Sequence, residues 1–308
     1  MSIARYIRMI GRGKEGARSL DEAQARDLMC QVLDDQITDL EIGAFALAMR
    51  IKGESVAELS GFLPAVHERC LVITSARPVV MLPSYNGARK LPNLAPLLAW
   101  LLAREGLAVL MHGPLVDSGR VASAQIFEAL GLPVCADATQ VHAAWSRGAP
   151  AFMPIDALCP PLAKLLAVRR VVGLRNSGHT LAKLLAPMPS VLRVVSYTHP
   201  EYAALLGQFL AHTGAHAMLL RGTEGEAVAD ARRSPKLDVF VAGQRRTDLS
   251  RDAQPGVLAV LPDLPREHDA ASTAAYIREV LAGHTPLPAP IAVQVDCLKQ
   301  TLAALPPL

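Results

Sequence analysis

The chain has 308 residues, 51% of them hydrophobic, and a net charge of only +3. That apolar content is enough for one large core or two coupled ones. The longest apolar run, Leu94–Ala103, is about ten residues and too short to span a bilayer. No leader-like apolar stretch opens the chain, so a cytoplasmic protein without a membrane partner is expected. The five cysteines (Cys30, Cys70, Cys135, Cys159 and Cys297) are odd in number, far apart and without a CxxC or Cys/His zinc spacing. They read as reduced core thiols.

The first 70 residues read as capped helices. Ser19-Leu-Asp-Glu22, Thr38-Asp-Leu-Glu41 and Ser55-Val-Ala-Glu58 each offer a cap and a capping-box acid. Apolar residues follow each at helical spacing, and Lys52-Gly53-Glu54 breaks the second helix from the third. The pattern then changes to strand, loop and helix. Val79–Pro83 reads as a buried strand, Leu94–Arg104 as a helix, Ala108–Met111 as a strand, and Ser123–Leu130 as a helix ended by Gly131. Later strands are expected at Leu192–Ser196, Ala217–Leu220, Leu237–Val241 and Gly256–Val260, and a late helix opens over Tyr276–Leu281. Such alternation implies parallel pairing through right-handed crossovers. The predicted class is therefore α/β: an N-terminal helical lobe over 1–74, joined by helices from about 160–190, beside a larger α/β lobe over 75–308 with a mainly parallel sheet.

Residues 156–187 are the most distinctive stretch. Lys164, Arg169, Arg170, Arg175 and Lys183 follow Asp156 with no further acid, on what reads as helix, turn and helix. Arg175 lies just past Gly173, where a guanidinium can fork onto a phosphate. From Lys164 to Arg251 there are 13 Lys/Arg against six Asp/Glu, a local balance of +7. A clustered positive field attracts polyanions or phosphorylated ligands. Arg232-Arg233-Ser-Pro-Lys236 and Arg245-Arg246 flank the strand 237–241 on loops, where such residues contact phosphates and carry no base code. Aromatics make up only 4% of the chain, which argues against a stacking platform for single strands. There is no HExxH, no Gly-x-Ser-x-Gly elbow and no Walker loop.

This order of elements resembles the anthranilate phosphoribosyltransferase and type II nucleoside phosphorylase superfamily. The similarity is carried by Ala44–Gly61 (with Lys52-Gly53-Glu54, Glu58 and Gly61), His112-Gly113, Ser123–Gly131 and Pro161–Lys183. The resemblance implies a two-lobed dimer, with an arginine-bearing helix pair closing over a phosphorylated substrate. The family holds a diphosphate on a Gly-Thr-Gly-Gly-Asp-type loop; here that segment is Leu82-Pro-Ser-Tyr-Asn86-Gly87-Ala-Arg89-Lys90, with one glycine and no acid. A Lys-His-Gly-Asn loop becomes Met111-His112-Gly113-Pro114. The family's adjacent Asp-Glu pair for magnesium falls on Ala227 and Val228, leaving Glu224 and Glu226 as the remaining metal candidates.

Taken together, Asn86, Gly87, Arg89, Lys90, His112, Gly113 and Ser123 read as the remnant of the family's cleft, with no catalytic residue assigned and no cofactor expected. Arg221-Gly-Thr-Glu-Gly-Glu226 is similar to the YbiB-type branch, and that resemblance implies sequence-tolerant binding of DNA or RNA. The expected binding residues are Arg169, Arg170, Arg175, Lys183, Arg232, Arg233, Lys236, Arg245 and Arg246. The expected assembly is a homodimer through apolar faces of the N-terminal helices. The alternatives are an active phosphoribosyltransferase, which would need magnesium, and a small-molecule phosphate sensor.

Overall fold

The computed structural model describes residues 2–306. The chain forms two compact units, one from Met1–Leu71 with Ile155–Pro187, the other from Val72–Pro154 with Met188–Leu308.

The helical unit is built on capping boxes. The helices Asp39–Lys52 and Val56–His67 start at Thr38 and Ser55, with Glu41 and Glu58 closing the boxes as the sequence predicts. The preceding helix, Glu22–Leu33, starts two residues later than expected. Asp21 rather than Ser19 is its cap, because Asp21 and Gln24 satisfy each other's backbone N–H groups. The second segment supplies the helices Pro160–Ala167, Arg169–Val172 and Ser177–Leu184, broken at Gly173 in the left-handed conformation.

Glu58 does more than cap. Its side chain is fully buried, accepting from Leu20 N (3.1 Å) and Ser55 N (2.8 Å) and pairing with Lys52 Nζ at 2.7 Å. One carboxylate thus ties together the entry to Glu22–Leu33, the end of Asp39–Lys52 and the start of Val56–His67. Much of the Lys52-Gly-Glu54…Glu58 motif is this knot.

The second unit is a seven-stranded sheet. Its strands are β1 (Val79–Pro83), β2 (Ala108–Gly113), β3 (Ala151–Pro154), β4 (Val191–Tyr197), β5 (Ala217–Arg221), β6 (Leu237–Val241) and β7 (Gln244–Arg245). The order is β3-β2-β1-β4-β5-β6-β7. The first five run parallel; β6 and β7 are antiparallel additions. β1, β2 and β3 are buried at every residue, as expected of parallel strands covered on both faces. Ala95–Arg104, Ser123–Ala129, Ala270–Ala282 and Ala289–Ala303 contribute to the core around Leu98, Phe127, Ile277 and Leu298. The expected strand at Gly256–Val260 does not form. That segment lies between Pro255 and Pro262, Val257 and Val260 are exposed, and its bond from Leu258 N to Arg232 O (2.9 Å) does not extend into a ladder.

Replacing Glu58 with Ala removes the carboxylate partner of the largely buried Lys52 ammonium and the acceptor of the Leu20 and Ser55 amides. Loss of one member of a buried pair costs about 3–5 kcal/mol. Urea denaturation of Glu58→Ala is expected to show a loss of that order, and a loss within experimental error would remove Glu58 from this role.

Candidate functional site

In open parallel sheets, ligands gather beyond the carboxyl ends of the strands. Here that edge belongs to β1, β2, β4 and β5, followed respectively by Ser84–Leu91, Pro114, Thr198 and Gly222–Glu226. Ser84 N donates to His112 O at 2.8 Å, holding the first two loops together. The approach is so close that a Cβ on Gly113 would lie 1.9 Å from Ser84 O.

The loop after β1 presents a series of backbone N–H groups, and two glutamates receive them. Glu226 Oε1 accepts from Asn86 N (2.8 Å) and Gly87 N (2.7 Å). Glu224 Oε1 accepts from Arg89 N (3.3 Å), Lys90 N (2.8 Å) and Leu91 N (3.1 Å). Arg120 Nη1 approaches Glu224 Oε2 at 3.5 Å and donates to Gly87 O at 3.2 Å. Successive amides of this kind form an anion-binding concavity, and the anions are the chain's own side chains.

The turn that delivers these glutamates is strained to do so. Glu224 has φ +51 and Gly225 φ +92, and a non-glycine residue in the left-handed region costs about 1–2 kcal/mol. A Cβ on Gly225 would lie 1.5 Å from Asn86 Nδ2. Asn86 Nδ2 in turn donates to Glu224 O at 3.1 Å, and Ser196 Oγ to Gly225 O at 2.7 Å. The sequence reading of Glu224 and Glu226 as metal candidates missed these partners. Their nearest neighbours are N–H donors, and no group of three or more His, Cys, Asp or Glu able to hold a metal occurs among the described residues. The acids' offset from Ala227 and Val228 was visible in the sequence; their meeting with residues 86–91, some 135 positions away, was not.

Beneath this loop lies a buried polar cluster. Tyr85 OH and His112 Nδ1 are 2.8 Å apart, with the rings edge to face. Ser84 Oγ donates to Ser123 Oγ at 2.8 Å, and Asn93 Nδ2 donates to the same oxygen at 3.0 Å. Burial lowers the His112 pKa to about 3. The ring is therefore neutral at physiological pH. Of the expected cleft residues, Asn86, Gly87, His112, Gly113 and Ser123 are brought together here, while Arg89 and Lys90 enter through their amides and carry exposed side chains.

The expected basic residues fall into two sets on separate units. In the helical unit, Arg175, Arg169 and Lys183 all act on His179. Burial first, then those charges, lower its pKa to about 3. Arg170 is exposed on the same short helix. In the α/β unit, acids neutralise most of the cluster. Arg232 chelates Asp230 through two contacts of 3.0 Å. Lys236 (3.1 Å) and Arg245 (2.6 Å) share Asp238, and Arg246 grips Asp248 at 2.6 Å. Arg233 is exposed. The acids two positions from Arg232, Lys236 and Arg246 were a readable signal that these cations are paired.

His112 makes a test of the buried cluster. Its folded pKa lies below its unfolded value, so the unfolded chain binds more protons. The stability this residue contributes is complete above about pH 6.5 and is lost as pH falls toward 3. Between pH 6 and 5, where few carboxylates titrate, His112→Phe is expected to flatten the dependence of unfolding free energy on pH by about 1.4 kcal/mol per pH unit. An unchanged slope would mean that His112 is not held neutral by the fold.

The comparisons agree with this architecture. The helical bundle domain of a glycosyl transferase family matches residues 4–70, and the a/b domain of that family matches residues 87–294. An uncharacterized protein of Escherichia coli, YbiB, is 40% identical over 303 residues, covering 96% of this chain and 93% of that protein. An anthranilate phosphoribosyltransferase of Symbiobacterium thermophilum is 30% identical over 222 residues, covering 71% of this chain and 64% of the enzyme. Among solved structures, the anthranilate phosphoribosyltransferase of Thermus thermophilus superposes with a TM-score of 0.71 at 23% identity, covering 93% of this chain and 90% of that one. The Saccharomyces cerevisiae enzyme in complex with PRPP and Mg gives 0.72 at 13% identity, covering 99% and 91%. With both domains matched in sequence and the same fold in the solved structures, the chain belongs to this glycosyl transferase family of joined helical bundle and a/b domains.

Proposed function

We propose that this chain is a nucleic-acid-binding member of its family rather than a phosphoribosyl transferase. The observation that carries the reading is the engagement of five loop amides, from Asn86, Gly87, Arg89, Lys90 and Leu91, by Glu224 and Glu226. A diphosphate needs such donors free, and a divalent cation needs carboxylate oxygens facing it. Here each supplies the other, so the residues present do not fit a magnesium diphosphate. Pre-placed donors and cations are what stabilise a departing pyrophosphate, and losing one commonly costs about 100-fold or more in rate.

Positive charge is then the main resource for binding anions. Arg169, Arg175 and Lys183 raise the potential around His179, with exposed Arg170 beside them. In the α/β loops, Arg232, Lys236, Arg245 and Arg246 are bonded to Asp230, Asp238 and Asp248, which lowers the net field there. Contacts of this type read backbone phosphate and tolerate any sequence. Mobility shifts with duplex DNA at two salt concentrations, beside a pyrophosphate-release assay with phosphoribosyl diphosphate and magnesium, test the reading. Affinity that falls steeply with salt, with no release, is expected. Arg170→Glu with Arg175→Glu is expected to weaken binding to all sequences and to lower the salt slope by about one unit per lost phosphate contact. Magnesium-dependent release without DNA affinity would replace this function with the transferase.

The partner on the helical unit is a second copy of the chain. Leu40, Leu47 and Ile51 are 84%, 45% and 60% exposed on the helix Asp39–Lys52. Their spacing of seven and four puts them on one face, and two linked binding units gain avidity on one nucleic acid. Leu40→Glu with Ile51→Glu is expected to halve the mass found by sedimentation and to weaken DNA binding. A monomeric wild-type protein would end the assembly proposal without touching the first.

A further inference from the structure

Cys70 and Cys159 are not two isolated core thiols. Both sulfurs point at one carbonyl: Cys70 Sγ lies 3.3 Å from Val66 O, and Cys159 Sγ lies 3.8 Å from the same oxygen. The backbone joins there as well, Leu71 N donating to Leu158 O at 2.7 Å. The two thiols are also hydrogen-bonded to each other. Cys159 is buried, whereas Cys70 is partly exposed. The position is significant in the chain. Leu71 is the last residue of the helical unit's first segment, and Ile155 is the first residue of its second.

We propose that Cys70 and Cys159 are a redox pair that closes reversibly into a disulfide, stapling the helical unit where the chain leaves it and returns.

The surroundings divide the labour between the two sulfurs. Cys159 is the N-cap of Pro160–Ala167, and a helix N-terminus favours a thiolate. Its thiol is held below the usual range by the hydrogen bond from Cys70, against the opposing effect of burial and with help from the Leu162 N–H and the Arg69 charge. Cys70 is pushed up by the same hydrogen bond and by burial, so of the two it holds its proton more firmly. The oxidant proposed is a small peroxide, which takes a thiolate to a sulfenic acid that a neighbouring thiol can resolve to a disulfide. The Cys159 thiolate attacks one oxygen of hydrogen peroxide and the O–O bond breaks. The departing hydroxide takes up the proton Cys159 had given up and leaves as water, with Cys159 now a sulfenic acid. The Cys70 sulfur then attacks the Cys159 sulfur. The S–S bond forms, the S–O bond breaks, and the hydroxide leaves with the Cys70 proton as a second water. Two thiols are oxidised by two electrons and one peroxide is reduced to two waters. A dithiol reverses the step by exchange.

Cys30, partly exposed and hydrogen-bonded to the Arg69 guanidinium, is the internal control. The reduced full-length protein is titrated with hydrogen peroxide, and its intact mass and non-reducing peptide map are read. The expected result is the loss of two hydrogen atoms, one linked peptide pair carrying Cys70 and Cys159, and full reversal by dithiothreitol. Linkage of Cys70 to Cys30, or oxidation of either thiol without a cross-link, overturns the proposal. Because Cys159→Ser alters a buried cap, Cys70→Ser is the informative variant. It is expected to form no disulfide and to accumulate a dimedone-reactive sulfenic acid on Cys159. Dimedone on Cys30 instead would refute the assignment of Cys159 as the attacking thiol. Peroxide is also expected to raise the thermal midpoint of the wild type and not of Cys70→Ser; equal midpoints would refute the staple.

Discussion

A buried carboxylate among backbone amides organises the upper edge of the α/β unit. Glu226, 1% exposed, reaches back across the sheet to the loop after β1. Without it, Asn86 and Gly87 would leave buried N–H groups unpaired, which native structures rarely permit. The loop's course, the left-handed Glu224, the close fit of Gly225 against Asn86 and the pin from Ser196 all accompany this contact. Glu224 repeats the device on the next turn of loop. An anion receptor and its anion are thus parts of one chain, and the strain in the turn is balanced by five hydrogen bonds.

The sequence carried local information well and distant meetings poorly. Thr38 with Glu41 and Ser55 with Glu58 were legible because a capping box lies within four residues. The same rule misplaced one helix start, since Ser19 and Asp21 compete over a two-residue interval and only the bonds to Gln24 decide. Five strands announced themselves through apolar runs, but Gly256–Val260 is equally apolar and builds no ladder, only a bond from Leu258 N to Arg232 O. β3, at four residues, and β7, at two, were too short to show a period. Departure of the loop at 82–90 from its family's pattern was readable residue by residue. The contact of that loop with Glu226 was not, because residues 86 and 226 become neighbours only through the sheet order.

Charge has local consequences in each unit. In the α/β unit, acids lie two positions from Arg232, Lys236 and Arg246, and the β6–β7 hairpin brings Arg245 to Asp238 as well. Exposed pairs of this sort add little stability, but they flatten the local field. In the helical unit, three cations converge on a histidine held neutral. A neutral ring adds no further positive charge beside them across the physiological pH range.

The sheet's final flank has a bearing on how the protein behaves when crowded. β7 contributes only Gln244 and Arg245, both exposed, and the chain turns away immediately afterwards. A long bare flank is a template on which stray extended segments of other molecules can polymerise. Two polar residues, one of them a cation, offer almost no such template. At this one of its two edges, an otherwise very apolar, largely parallel sheet is guarded against edge-to-edge aggregation at high concentration.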